Sequence, residues 1–464
     1  MRRLTLLFAT LLCGSVYGQD VTLPEFERVA LDNGTVLLLA EKHDVPLVGL
    51  RAVVRGGTAA DPAERAGLGS LVATLLEKGA GERDAAAFAD ASANVGGRIS
   101  ADISTETTTV SAEFLSRDAA LMIDLVADLL MRPTLAPDEF EKERERSIAL
   151  IQAAKGSNLN ALMPAYSYAF IFGDHPYGNP PFGDEESLAA IAHDDVLAHY
   201  ANQFGGDRLI ISVVGDFDAG AMKARLTEVF GGWASAGTAL DPLAPAEPTT
   251  GRRVLLVDKP GAAQTYFWLG NVSVARDYPQ RAEKNIANTL FGGRFTSMLM
   301  TALRVEAGLT YGAGSQVAQH AVSGATTIQS FTEVGKTVDA IDLALEVLGQ
   351  LHARGVDDEM IESARNYIMG QFPPSLETAS SLAAMLATLE VNGLGREYID
   401  EYGTALLGAT PVSVHNTIND VYPTGDNLVF VLIGDAELIR EDVAKYGPVT
   451  EVSITEPRFR VDYQ

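Results

Sequence analysis

The chain states nearly the same pattern twice, about 218 residues apart, and that repeat limits its possible folds more than any other feature. Arg208–Trp233 reads RLIISVVGDFDAGAMKARLTEVFGGW, and Asn427–Gly447 reads NLVFVLIGDAELIREDVAKYG. Each is an apolar β run that ends in Gly-Asp and opens a helix led by acidic residues. Gly215-Asp216 and Gly434-Asp435 are offset by 219 residues. Val36–Lys42 (VLLLAEK) matches Val254–Lys259 (VLLVDK), with the two lysines offset by 217. Short periods of about 20–50 residues build solenoids; one this long means two whole domains. With 464 residues, 47% of them hydrophobic, the chain is long enough for two cores. A functional site can then lie between the halves, or between this chain and another.

Within each half the pattern predicts strands, helices, a strand hairpin, more helices, then a closing strand and helix. Thr35–Ala40 and Leu47–Arg55 read as strands, Leu68–Leu76 and Ala85–Asn94 as helices. Ile99–Ile103 and Thr107–Phe114 alternate like half-buried strands. Arg117–Met131 and Pro137–Ala154 read as amphipathic helices, the second with proline near N1 and acids in its first turn. A Gly- and Pro-rich loop, Gly173–Gly183, precedes a helix at Asp194–Ala201 and a strand at Leu209–Val214. The second half repeats the order with strands at Val254–Asp258 and Thr265–Asn271 and helices at Gln280–Leu290 and Phe295–Glu306. Strands around Gly312–Gln319 and Thr326–Thr332 follow, then helices at Val338–Arg354 and Asp357–Met369. The expected architecture is α+β: two homologous domains in tandem, each a mostly antiparallel sheet with helices packed on it. The expected divisions are a leader at 1–18, a first domain at 19–235, a linker at 236–251 (three prolines among Ala and Thr) and a second domain at 252–464.

The first eighteen residues differ in kind. Arg2 and Arg3 are followed by the apolar Leu4–Leu12 and a small-x-small site at Val16-Tyr17-Gly18, the plan of a bacterial secretory signal. Cys13 raises a lipoprotein anchor, but the bulky Leu12 before it favours cleavage after Gly18. The mature chain would then have no cysteine, which suits an oxidising compartment but requires a sizeable core. No later stretch approaches eighteen apolar residues. Loss of the leader takes the formal charge from −26 to −28, a balance that argues against nucleic acid.

Three short motifs stand on the doubled plan: Arg55-Gly56-Gly57-Thr58 followed by Ala66-Gly67-Leu68, His175-Pro176-Tyr177-Gly178, and Gly308-Leu309-Thr310-Tyr311. In this order and spacing the chain resembles the inverted-zincin peptidases, the family of insulinase, pitrilysin and mitochondrial processing peptidase. The resemblance runs over essentially the whole mature chain and implies a domain pair forming half of a clam-shell. In catalytic members the Gly-Leu leads into a helix bearing His-x-x-Glu-His, whose two histidines bind zinc while the Glu acts as general base. Here Ser70, Ala73 and Thr74 occupy those three places. The family's third ligand, a Glu about 80 residues on, would fall near the apolar Leu150-Ile151. The seven histidines (43, 175, 193, 199, 320, 352 and 415) include no pair four apart. His193 and His199, six apart, fall on opposite sides of a helix.

Arg304-Val305-Glu306-Ala307-Gly308-Leu309-Thr310-Tyr311 resembles the Arg-x6-Tyr pair of the family's non-catalytic domain. Taken by themselves these residues fit a plainer role, with Arg304 paired to Glu306 and Tyr311 in the core. The resemblance instead implies that Arg304 and Tyr311 point into one cavity, hold a substrate carbonyl and stabilise the oxyanion opposite a zinc-bound hydroxide. His175 reads as a turn and packing residue, Gly292-Gly293 as a close backbone approach, and Glu141–Arg146 as a solvated helix face. Arg98 and the strand Thr107–Phe114 lie where catalytic members offer an edge strand to substrate.

The function so implied is that of the non-metal subunit of a periplasmic heterodimeric zinc peptidase. The chain is inactive alone and binds no cofactor; a homologous partner with His-x-x-Glu-His carries the zinc, and the substrate is a peptide or small unfolded protein. The alternative is a catalytically inert structural or peptide-binding pseudopeptidase. A self-sufficient hydrolase would need a nucleophile–base arrangement that the sequence does not display.

Overall fold

The computed structural model describes residues 22–461; the leader expected at Met1–Gly18 lies outside them. In chain order the strands are β1 (Glu27–Ala30), β2 (Val36–Glu41), β3 (Leu47–Arg55), β4 (Gly79–Ala80), β5 (Arg83–Asp84), β6 (Arg98–Ile103) and β7 (Thr107–Leu115). They continue with β8 (Leu209–Gly215), β9 (Arg253–Asp258), β10 (Gln264–Ser273), β11 (Ala313–Gln319), β12 (Gly324–Glu333), β13 (Val429–Gly434) and β14 (Val449–Ser453). Apart from the small β4–β5 ribbon they form two six-stranded sheets, ordered β1-β2-β8-β3-β7-β6 and β14-β9-β13-β10-β12-β11. Five strands of each, from β2 to β6 and from β9 to β11 in sheet order, correspond one for one: β2–β8 and β9–β13 run parallel, and the remaining pairs run antiparallel. Only the outer strand differs, antiparallel β1 from one end of the chain and parallel β14 from the other.

The duplication holds at the level of single hydrogen bonds. Lys42 and Lys259 each donate a backbone N–H to the glycine ending the neighbouring strand, Gly215 at 2.7 Å and Gly434 at 2.8 Å. Glu41 and Asp258 each accept the first backbone N–H of the following helix, from Ala219 at 2.6 Å and Ala436 at 2.9 Å. These donors have no partner within the helix, so each carboxylate also meets the positive end of the helix dipole. The Gly-Asp carboxylates diverge. Asp435 caps its helix, whereas Asp216 does not, and Asp218 does so instead.

Each sheet is covered on one face by helices of its own half and on the other by a helix from the opposite half. Ala379–Val391 lies against the first sheet, where Leu382, Ala383, Leu386 and Ala387 meet Val36, Leu38, Val53 and Ile210. Met163–Phe172 lies against the second sheet in return. There Tyr168 meets Trp268 edge-on at 6.0 Å, and the Arg253 guanidinium sits 4.8 Å from the Phe170 ring centre. At 163 and 379 the two helices stand one repeat apart. Burial on both faces explains why β8 and β13 are buried at every position and apolar throughout except for Ser212. On β13, Val429, Val431 and Ile433 join the core shared with the first half, while Phe430 and Leu432 face their own helices. Gly49 on β3 permits the closest approach, since a Cβ there would lie 2.7 Å from the Ser380 backbone nitrogen.

The chain ends are exchanged too. Leu23 donates its N–H to Asp400 at 2.8 Å, and Lys155 donates to the Glu456 carbonyl at 2.6 Å. The stretch 236–251 is pinned rather than loose: Ala246 and Thr249 donate backbone N–H groups to Ser323 and Asn271. Some expectations shift. The helix expected from Phe295 is a wide-turned segment at Met300–Glu306, and β11 starts at Ala313, two residues beyond Tyr311. Arg98 is on the true edge strand, β6, but Thr107–Leu115 is an interior strand between β3 and β6.

Candidate functional site

Helix Leu68–Leu76 begins at a turn organised by Asp61, whose carboxylate accepts N–H groups from Gly67 at 3.0 Å and Gly69 at 2.9 Å. Ser70, Ala73 and Thr74 stand on this helix, but none presents a metal ligand. The Ser70 hydroxyl donates to the Pro181 carbonyl at 2.5 Å, the Thr74 hydroxyl donates back to the Ser70 carbonyl at 2.9 Å, and Ala73 is buried. On the adjacent helix Pro137–Ser157, Ile151 is buried and Leu150 exposed. Lys78 and Glu143 form an ion pair at 2.8 Å across the junction. Among the described residues no three His, Cys, Asp or Glu side chains gather as a metal site. A donor set of two hydroxyls already bonded to backbone, with alkyl groups beside them, does not fit the His₂Glu zinc centre of the catalytic members.

Asp61 is fully buried beneath this helix, and His199 stands 4.0 Å from its carboxylate. Burial pushes the Asp61 carboxyl up to about 8 against the opposing backbone N–H groups, and pushes the His199 imidazole down to about 4. Unfolded, Asp61 would lose its proton near 3.8; folded, it keeps it to about 8, so stability falls as pH rises between those values. His199 acts in the opposite sense, adding stability as pH rises from about 4 to 6.5. The two offset one another up to 6.5, and above that Asp61 acts alone. Thermal melting of the wild type is therefore expected to drop between pH 6.5 and 8, and Asp61→Asn to lose that drop. Parallel curves for the two proteins across this window would sink the assignment.

In the second half, the wide turn at Met300–Glu306 positions Arg304 and is closed by Ala307 N–H donating to the Ala302 carbonyl at 3.0 Å. Widened turns of this kind are rare and often stand at functional sites. Gly308 then reverses the chain with φ +63°, a left-handed conformation that suits glycine, and delivers Tyr311 seven residues beyond Arg304. Among the described residues Arg304 makes no ion pair, with Glu306 or otherwise; its guanidinium lies 4.8 Å from the ring centre of Phe295. Tyr311 is 81% exposed and so is not core. No hydrogen bond or cation–π contact joins the pair among the described residues, and neither lines the neighbouring cavity bounded by Arg294, Thr301 and Glu306. The chain by itself leaves Tyr311 on open surface and Arg304 half-buried, beside the exposed Phe295 and Val305.

The remaining polar candidates are structural in their contacts. His175 Nδ1 accepts the Tyr177 N–H at 3.1 Å, and its Nε2 lies 2.8 Å from the Ala244 carbonyl. His43 and Ser116 converge on Asp216 at 2.7 and 2.8 Å, a grouping that sequence spacing did not reveal. Both bind the same carboxylate, so no hydroxyl is set against the imidazole for deprotonation.

Comparison with known proteins decides the family. Residues 36–185 match the insulinase family, peptidase family M16, and residues 190–368 match the M16 inactive domain. The chain belongs to the M16 family. The family model matched by residues 190–368 is described as inactive, and Ser70, Ala73 and Thr74 stand on the helix that carries the zinc motif in catalytic M16 members. An uncharacterised zinc protease of Mycobacterium leprae is 29% identical over 340 residues, 72% of this chain and 76% of that one. The non-peptidase homologue YmxG of Helicobacter pylori is 24% identical over 351 residues, 74% and 79% of the respective chains. The crystal structure of a peptidase M16 inactive domain from Pseudomonas fluorescens superposes with TM-score 0.82 at 20% identity, covering 88% of this chain and 98% of that one. The M16 fold is thus shared along nearly the full length. Among the described residues no helix is long and apolar enough to cross a membrane.

Proposed function

We propose that this M16 homologue is the non-metal subunit of a periplasmic heterodimeric zinc peptidase. It presents Arg304 and Tyr311 to a zinc site carried by a homologous partner with His-x-x-Glu-His. The observation that carries this reading is the pair's surroundings. Arg304 has no carboxylate partner among the described residues, and Tyr311 is 81% exposed with an unused hydroxyl. Exposed aromatic and apolar side chains beside unpaired polar groups mark a contact surface. A guanidinium and a phenol can donate to a substrate carbonyl and to the oxyanion that develops from it. The substrate would be a peptide ordered as an added strand, and the leader at Met1–Gly18 would export the chain.

The mature chain should be purified alone and together with such a homologue, then given an unstructured peptide. Cleavage and bound zinc are expected only in the mixture. Zinc-dependent cleavage by the lone chain, or failure of the two to associate, overturns the reading. The kinship with a non-peptidase homologue favours one alternative, an inert peptide-binding subunit. A complex that binds the peptide without cutting it would establish that instead.

A further inference from the structure

The two halves meet around a polar cavity of about 220 Å³ that plays no part in the peptidase reading. Arg51, Glu106 and Thr109 line it from the first half, and Arg276, Thr388 and Asn392 from the second. Arg51 Nη1 donates to the Ser111 hydroxyl, and Arg276 Nη2 donates to the Gln319 carbonyl at 2.5 Å. Both partners are neutral. Asp102 acts on Arg51 only through space, and among the described residues neither guanidinium has an ion-pair partner. Arg276 Nε is buried and, among the described residues, donates to nothing.

The one carboxylate in the lining is already engaged. Glu106 Oε1 accepts the Tyr177 hydroxyl at 2.5 Å and the Ala321 N–H at 2.8 Å. Behind Arg276 stands Lys284, more than nine-tenths buried, whose ammonium donates to the Gln319 side-chain oxygen. Arg276 and Arg281 add to burial in depressing that ammonium to about 8. Positive charge is thus concentrated between the halves of a chain whose formal charge is −26. Half-buried guanidinium groups that touch no carboxylate are only partly compensated by Glu106 and Asp102 nearby, and a bound anion would complete that.

We propose that this cavity binds a small oxyanion, a phosphate or a carboxylate, held by Arg51 from one half and Arg276 from the other so that its binding fastens the halves together. The forked, planar guanidinium suits paired anionic oxygens. A volume of 220 Å³ lies below the range of about 300–1,000 Å³ typical of larger organic ligands.

The full mature chain should be melted in sodium phosphate, in sodium succinate and in sodium chloride at matched ionic strength. Phosphate or succinate is expected to raise Tm above chloride with a saturable concentration dependence, and the effective anion identifies the class. Arg51→Gln and, separately, Arg276→Gln should each weaken the apparent affinity by about tenfold or more. Arg276→Gln also removes a bond to Gln319, so Arg51→Gln provides an independent test should that variant fold poorly. Arg117→Gln, on the exposed surface elsewhere, should keep the wild-type response to the anion. If neither anion exceeds chloride, or if the rise persists unchanged in both cavity variants, the site does not exist.

Discussion

Assembled with a zinc-bearing homologue, Arg304→Ala is expected to lower kcat by about 100-fold or more while KM and assembly change little. The expectation follows from where the charge appears. The ground-state carbonyl is weakly polar, whereas the tetrahedral intermediate places a full negative charge on that oxygen, so a fixed guanidinium helps the transition state most. Arg304 stacks on the exposed Phe295 ring rather than pairing with a carboxylate, which leaves its donors free for substrate. Tyr311→Phe, which deletes only the phenol hydroxyl, should cost turnover in the same sense. Steady-state kinetics on purified complexes of matched zinc content would decide. Unchanged turnover in both variants removes Arg304 and Tyr311 from the site.

Leu386→Asp should destabilise the protein by about 4 kcal/mol or more in urea unfolding, combining a lost core leucine with an unpaired buried carboxylate. Leu386 is 1% exposed and packs with Val36, Leu38 and Val53 of the opposite half. Its loss should uncover the first sheet although the substitution lies in the second half. Leu150→Asp, on an exposed helix face, should stay within about 0.5 kcal/mol of wild type. Equal stability of the two variants would show that the exchanged helix is not needed to cover that sheet. The same packing predicts that residues 22–235 alone would expose an apolar sheet face.

Much of the fold was legible because its cause is local. Alternating burial along Thr107–Leu115 and the amphipathic helix Ala119–Met131 face one core and water, so their periods survive in the sequence. The helices Met163–Phe172 and Ala379–Val391 were not legible. Pressed between a sheet and the rest of the molecule, they carry apolar residues on several faces and lack a single stripe at the 3.6-residue period. The inter-half cavity was hidden for a related reason, since Arg51 and Arg276 stand 225 residues apart and each alone reads as an ordinary surface cation. Asp61 likewise looks like a loop acid until packing closes water away from it.

The order of amino acids by itself determined the doubling, the strand-and-helix content of each half and the missing zinc ligands. Those properties depend on residue type and short spacing, and no packing can turn Ser70, Ala73 and Thr74 into imidazoles and a carboxylate. Only the tertiary structure decided which half covers which sheet, where buried charges collect, and that Tyr311 remains on open surface with Arg304 half-buried beside it. Each of these depends on contacts between segments more than a hundred residues apart, or on what solvent can reach, and neither quantity is written in a local stretch of chain.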